Sequence, residues 1–140
     1  MAQSDGNSPM FPGIVVAQGF VSTSKLHSVP QKVVVSTNGT TKVKVFGTTN
    51  GFAGTILSVK AIAQDTTGGF ITLTKNDSGS EVNIATSIVK GTTIGGVAGT
   101  AMSATAFAST GTMTVVSSSA GNATVEIDFI ISDPRIQGAQ

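Results

Sequence analysis

The pattern that most restricts the fold of this chain is an alternation of apolar and polar residues near its C-terminus. Val125, Ile127, Phe129 and Ile131 occupy every second position, and Thr124, Glu126 and Asp128 lie between them. Successive side chains of a β-strand point to opposite faces, so this alternation predicts a strand with one buried face. Residues 112–116 form a similar run, and the polar stretch 117–122 between the two runs predicts a hairpin turn.

Further runs rich in Val, Ile and Thr have the composition of β-strands. They cover residues 14–21, 32–37, 41–47, 55–64, 70–75 and 80–89, with turn-forming residues between them. Asn38-Gly39 separates the second of these runs from the third and predicts a tight hairpin, because a type I′ turn requires positive φ at both central positions. No segment shows a clear helical period. The chain is therefore predicted to be all-β, with about eight antiparallel strands in a sandwich or barrel.

The alternation also predicts which side chains of each strand share a face. Val43 and Val45 are expected on the face opposite to Lys42 and Lys44. A second strand is expected to place Leu57, Val59, Ala61 and Ala63 together, and a third to place Val82 with Ile84.

Residues 90–111 do not fit this pattern, because they are rich in small residues and have no regular period. One interpretation is a long functional or interface-forming loop, which contains a helical turn at 101–108. The other is a crossing loop that closes one end of the sandwich.

Both ends of the chain are interpreted as extended arms. Residues 1–13 would form an N-terminal arm, residues 14–132 the sandwich domain, and residues 133–140 a C-terminal tail. Prolines at both arms support this division, since proline cannot donate to a strand ladder and favours extended chain.

Apolar residues on an extended arm suit docking on a partner, and Met10, Phe11 and Ile136 lie on the two arms. The alternative is that Phe11 and Ile136 cap the core of their own domain.

Composition restricts the partners of the chain. Charged residues make up 11% of its 140 residues, the formal net charge is +1, and there is no cysteine. This balance lacks the basic surface that binds nucleic acid or anionic membranes, and it leaves no disulfide or zinc–thiolate site. We therefore expect neither nucleic acid nor a membrane as a partner. The N-terminus has no basic segment followed by a long apolar stretch, so assembly in the cytoplasm of the producing cell is expected.

No set of residues in the sequence indicates catalysis. His27, the single histidine, lies in a link between predicted strands, and no nucleophile-elbow motif accompanies it. Glu126 and Asp128 share a strand face, where a solvated stripe is a simpler interpretation than a glycosidase pair. Residues 75–81 have the Asn, Asp and Gly of a turn without the acidic spacing of a calcium loop. We therefore predict no enzymatic activity, no catalytic residues, no cofactor and no metal.

The second half of the chain resembles small virion proteins of tailed bacteriophages, especially capsid decoration (cement) proteins and head-fibre-like sandwiches. The resemblance lies in the order of an "ITLT" strand, a polar turn, a "VNIA" strand, a small-residue loop and "GTMTVVSSSAGNATVEIDF". It implies a jelly-roll-like sandwich of eight strands on the capsid exterior. It also implies binding to the major capsid protein, often as a trimer at local three-fold positions, with extended termini that hold neighbours. The candidate partner-binding residues that the resemblance implies here are Met10, Phe11, Ile14, Arg135 and Ile136.

The leading hypothesis is therefore a non-enzymatic virion structural protein that decorates and stabilises a phage capsid as a homotrimer. It would act through docking of its arms and through contacts between subunits. The alternative is a carbohydrate-binding or adhesive β-sandwich module of a phage fibre or tail. The absence of Trp and Tyr argues against that alternative, because sugar-binding surfaces rely on exposed aromatic rings.

Overall fold

A computed structural model describes residues 29–132, which form two antiparallel β-sheets packed face to face. The strands of this part are β1 (Gln31–Ser36), β2 (Val43–Lys44), β3 (Gly54–Ala63), β4 (Gly69–Asn76), β5 (Val82–Lys90), β6 (Val97–Gly99), β7 (Ala106–Phe107), β8 (Thr112–Ser117) and β9 (Ala123–Ile131). One sheet has the order β1-β9-β3-β6, and β7 also pairs with β3. The other sheet has the order β2-β8-β4-β5.

The predicted all-β sandwich is confirmed, with nine strands in residues 29–132 where about eight were expected for the whole chain. The same residues contain no helix with the length and apolarity needed to cross a membrane. Several predictions fall on residues 1–28 and 133–140, which lie outside the described part. They are the strand at 14–21, both arms and His27.

The core lies between the two sheets and consists of the inward-facing aliphatic side chains. Its fully buried members include Ile71, Leu73, Ile88, Val115, Val125 and Ile127. Burial of one such side chain contributes about 1.5–3 kcal/mol relative to exposure. The predicted inner face of β9 is confirmed, because Phe129 is also buried and Ile131 packs against the core as a partly buried residue.

The turn at Asn38-Gly39 is present, but the predicted hairpin is wrong. β1 pairs with β9 in one sheet and β2 pairs with β8 in the other, so the chain crosses between the sheets here. The Thr41 N–H donates to the carbonyl of Asn38 at 3.0 Å, and Gly39 occupies the first central position with φ of 55°. Positive φ at the first central position alone is the pattern of a type II′ turn rather than type I′.

The hairpin predicted at residues 117–122 is also wrong. β8 pairs with β4 and β2, whereas β9 pairs with β1 and β3 in the opposite sheet. Each run is a strand, as the alternation indicated. Turn residues between two strands reverse the chain, but the burial of each strand's apolar face decides which sheet it joins.

One predicted inward position, Leu57, points outward because its strand contains an irregularity. The pairing of β3 with β9 shifts between Ile56 and Ser58, so Ile56 is buried while Leu57 is 43% exposed. An extra residue in one strand reverses the facing of every residue beyond it.

The pairing of β4 with β5 is also irregular near Ile84, but Val82 stays on the face of Ile84, as its pairing with Lys75 and that of Lys75 with the buried Met113 show. Val82 is 43% exposed because it is the first residue of the edge strand β5.

The segment 90–111 contains β6 and β7 and no helical turn, so the helical expectation at 101–108 is wrong. β6 pairs with Lys60–Ile62 and β7 pairs with Gly54 and Thr55, both on the side of β3 away from β9. The Ser103 N–H donates to the carbonyl of Ile84 in β5 at 2.9 Å. The segment therefore crosses between the two sheets along one side of the sandwich, rather than closing one of its ends.

Candidate functional site

The most strongly bonded polar group of the described part lies at one end of the sandwich, where three connections meet. We call Asp65, Lys90 and Asn122 the latch. Lys90 is the last residue of β5 and lies two positions after the buried Ile88, so its side chain also points inward. Its ammonium lies 2.7 Å from Oδ1 of Asp65 and also donates to the carbonyl of Thr67, and the side chain has no exposed surface.

The Asp65 carboxylate accepts hydrogen bonds from three residues. Besides the Lys90 ammonium, its donors are the Asn122 N–H at 2.7 Å and the Thr67 N–H at 2.9 Å. The Lys90 hydrogen bond, followed by those from Asn122 and Thr67, lowers the pKa of Asp65 from 3.8 to about 2. Hydrogen bonds to the charged form of an acid favour that form, so the carboxylate is ionised throughout the neutral range.

The stretch 117–122 is packed against the neighbouring connections rather than being a free turn. The Phe70 N–H donates to Oγ of Ser118, and the Ser118 N–H donates to the carbonyl of Phe70. The Ser119 hydroxyl donates to the carbonyl of Gly68 at 2.7 Å. Oδ1 of Asn122 accepts the Gly39 N–H at 2.8 Å. The latch thus joins the β1–β2, β3–β4 and β8–β9 connections to the end of β5.

The latch has the chemistry of a structural ion pair. Condensation of the two side chains into an amide would require a neutral amine and a protonated carboxyl. The lowered pKa of Asp65 keeps the carboxyl ionised and opposes that reaction. The described residues form no pocket and hold no group of three or more His, Asp or Glu side chains suited to a metal ion.

A charged stripe lies on the outer face of the five-stranded sheet. Lys32 lies 3.3 Å from Glu126 and 3.0 Å from Asp128, and Ser58 donates to Asp128 at 2.8 Å. The hydrogen bond from Lys32, followed by the one from Ser58, lowers the pKa of Asp128. The hydrogen bond to Asp128 in turn raises the pKa of Lys32. A glycosidase acid needs a raised pKa. The pKa of Asp128 is lowered instead, which fits the predicted solvated stripe rather than a glycosidase pair.

Four phenylalanine rings pack together at the end of the sandwich away from the latch. Phe46, Phe52, Phe107 and Phe129 form this aromatic cluster, with ring centroids 5.0–6.3 Å apart. The stacked and edge-to-face geometries are those that aromatic quadrupoles favour. Gly54 is required beside the cluster, because a Cβ there would lie 2.3 Å from the Ile130 carbonyl oxygen and 2.8 Å from the Phe107 ring.

The first and last strands of the described part, β1 and β9, begin and end at the aromatic end. Gln31 is the partner of Phe129 in the β1–β9 pairing, and the Ser132 N–H donates to the carbonyl of Ala53 at 3.0 Å. Residues 30 and 132 therefore lie at the same end of the paired strands β1 and β9.

Large apolar side chains are exposed at several places on the surface of residues 29–132. They are Val29, Val34, Leu57, Phe70, Val82, Val89, Ile94 and Val97. Phe70 and Val89 are direct partners in the β4–β5 pairing and are 48% and 58% exposed. Cross-strand partners on one face lie close enough to act as one apolar patch.

The predicted partner-binding residues Met10, Phe11, Ile14, Arg135 and Ile136 all lie outside the described residues. Sequence reasoning missed the latch, although Lys90 carried a detectable signal: it occupies an inward position of an alternating strand, where a lysine needs a buried partner. No protein-family model and no curated protein matches this sequence.

Proposed function

We propose that this chain is a non-enzymatic structural protein of a phage virion, which decorates and stabilises the outside of a capsid. The proposed partner is the major capsid protein, and the proposed assembly is a homotrimer. The terminal segments, with Met10, Phe11, Ile14, Arg135 and Ile136, would bind neighbouring subunits.

The observation that carries this proposal is the common origin of the two terminal segments. Because Gln31 pairs with Phe129, β1 begins and β9 ends at the same end of the sandwich, so the chain enters and leaves the described part there. Two segments attached at one end can reach the same surface together, and linking two binding segments raises the overall affinity without any new contact.

The sandwich itself supports a role in contact rather than in chemistry. Its latch end is tied by an ion pair and by hydrogen bonds across several connections, which keeps the connections in fixed positions. Its outer faces expose apolar side chains such as Phe70 and Val89. Exposed apolar side chains that lie next to each other suit contacts between subunits, and closed symmetric oligomers are the default for such contacts.

Two measurements on purified virions of the encoding phage test this proposal. Quantitative mass spectrometry should find the chain in many copies per particle, and an antibody against the folded protein should label intact heads. The proposed homotrimer is tested separately by sedimentation equilibrium of the purified chain, which should give three times the monomer mass. Labelling confined to the tail would favour the adhesive alternative, and absence of the chain from virions would overturn the proposal.

A further inference from the structure

The Asn38-Gly39 pair has the residues of a deamidation site. Asn38 is exposed, and Gly39 has no side chain to hinder attack by its backbone nitrogen. In this reaction the Gly39 nitrogen loses its proton to a base and attacks Cγ of Asn38, and ammonia leaves to give a cyclic succinimide. Water then opens the ring at either carbonyl, giving aspartate or isoaspartate.

The structure places the attacking nitrogen of this reaction in a hydrogen bond. The Gly39 N–H donates to Oδ1 of Asn122 at 2.8 Å. An amide oxygen is too weak a base to remove the proton, so this contact holds the nitrogen protonated and directs it away from Asn38. The reaction therefore requires the Gly39–Asn122 contact to open.

The latch determines how firmly Asn122 holds that contact. The Asn122 N–H donates to Oδ2 of Asp65 at 2.7 Å, and Oδ1 of the same carboxylate binds the buried Lys90 ammonium. Three successive contacts therefore connect Lys90 to the Gly39 nitrogen. Hydrogen bonds to charged groups are stronger than neutral ones, so the latch anchors an otherwise exposed asparagine.

We propose that Asn38 is a site of spontaneous deamidation that the latch keeps closed, so that modification of Asn38 reports opening of this end of the sandwich. Modification adds one negative charge and changes the formal net charge from +1 to zero. In the isoaspartate product it also lengthens the backbone within the turn that joins β1 to β2. This inference is independent of the proposed virion function.

The second Asn-Gly pair of the described part provides an internal comparison. Asn50 is 3% exposed, and the Gly51 N–H donates to the carbonyl of Ser109 at 2.9 Å. Its nitrogen is therefore held by the backbone and does not depend on the latch. Opening the latch should increase modification at Asn38 and leave Asn50 unchanged.

The test is incubation of the full-length protein in mildly alkaline buffer, with peptide mapping of the products at Asn38 and Asn50. Asn122→Ala removes the acceptor of the Gly39 N–H, and Asn83→Ala removes an exposed asparagine of β5 as the matched control. Loss of one hydrogen bond should raise the rate at Asn38 roughly three- to tenfold in Asn122→Ala. The control should deamidate at the wild-type rate.

A second variant covers the case in which Asn122→Ala fails to fold. Asp65→Asn leaves Oδ1 of Asn122 in place but weakens its anchor, so it should give a smaller increase at Asn38. Wild-type rates at Asn38 in folded variants would overturn the inference, as would faster modification of Asn50 than of Asn38 in the wild type. Unfolding of both variants would also overturn it, because the latch would then support the whole fold rather than this site.

Discussion

The ammonium of Lys90 lies 2.7 Å from a carboxylate oxygen of Asp65, although the Lys90 side chain has no exposed surface. The contact joins the end of β5 to the connection between β3 and β4, which lies 25 residues earlier in the chain. A buried cation without partners would be strongly destabilising, so the two residues are energetically coupled.

Replacement of Lys90 by methionine should therefore lower the stability of the sandwich. Methionine fills most of the same volume, but Asp65 and the carbonyl of Thr67 lose a charged donor. The expected loss in the free energy of unfolding is about 1–3 kcal/mol, since Asp65 remains partly open to water. Urea unfolding of both proteins measures this difference.

Lys42→Met is the matched control, because Lys42 pairs with Glu81 and both side chains are about half exposed. Exposed ion pairs contribute about 0–1 kcal/mol, so this variant should unfold close to the wild type. Equal effects of the two substitutions would contradict a special role for Lys90.

The stability of the sandwich should depend on the ionisation of Asp65 at acid pH. The folded-state pKa of about 2 lies below the ordinary value of 3.8, so the ionised carboxylate stabilises the folded state. This stabilisation is fully present above the ordinary value and is lost as the pH falls through about 2. Asp128 contributes in the same direction.

Asp65→Asn should consequently be less stable than the wild type at neutral pH and should lose less stability on acidification. Urea midpoints measured across the acid range give the slope of stability against pH. Glu81→Gln is the control for removal of an exposed carboxylate. A slope in Asp65→Asn as steep as that of the wild type would show that other carboxylates cause the acid response.

The irregularity in β3 predicts different effects for two neighbouring residues. Ile56 is 2% exposed and Leu57 is 43% exposed. Ile56→Ala should cost about 2–5 kcal/mol through lost burial and a cavity, whereas Leu57→Ala should change the free energy of unfolding by about 0.5 kcal/mol or less. The reverse order would mean that β3 is regular and that its pairing with β9 is shifted.

The close approach at Gly54 predicts a clash for any side chain there. A Cβ at this position meets the backbone carbonyl of Ile130, which cannot rotate away. Gly54→Ala should destabilise the fold by about 1–3 kcal/mol. Gly91→Ala is the control, because a Cβ at that position would lie 4.0 Å from its nearest neighbouring atom. A neutral Gly54→Ala, measured by thermal unfolding, would contradict the packing of β3 against β9.

The sequence predicted individual strands well because alternation is a local signal. The inner face of β9, with Val125, Ile127 and Phe129, could be read directly from the order of the residues. Sheet membership could not, because the stretches 38–39 and 117–122 have the residues of hairpin turns yet connect opposite sheets. A turn fixes a reversal over four residues, whereas the sheet that a strand joins depends on the packing of the whole core.

The latch was not predicted because its three residues are far apart in the sequence. Asp65 and Asn122 lie in polar connections that are common in β-proteins, and only the inward position of Lys90 distinguished it. The shift at Leu57 was hidden for a related reason. A strand with one inserted residue contains the same kinds of residues as a regular strand. Only the pairing of Ile56 with Phe129 and of Ser58 with Asp128 reveals that Leu57 is inserted.

We propose that the chain binds a capsid through its terminal segments, and co-sedimentation with capsid shells of the encoding phage measures this binding. The full chain should pellet with shells in a saturable manner. A variant that lacks residues 1–12 should unfold at the wild-type midpoint but pellet much less. A full chain that stays in the supernatant at every shell concentration would rule out capsid binding, and a truncated chain that binds equally well would rule out binding through residues 1–12.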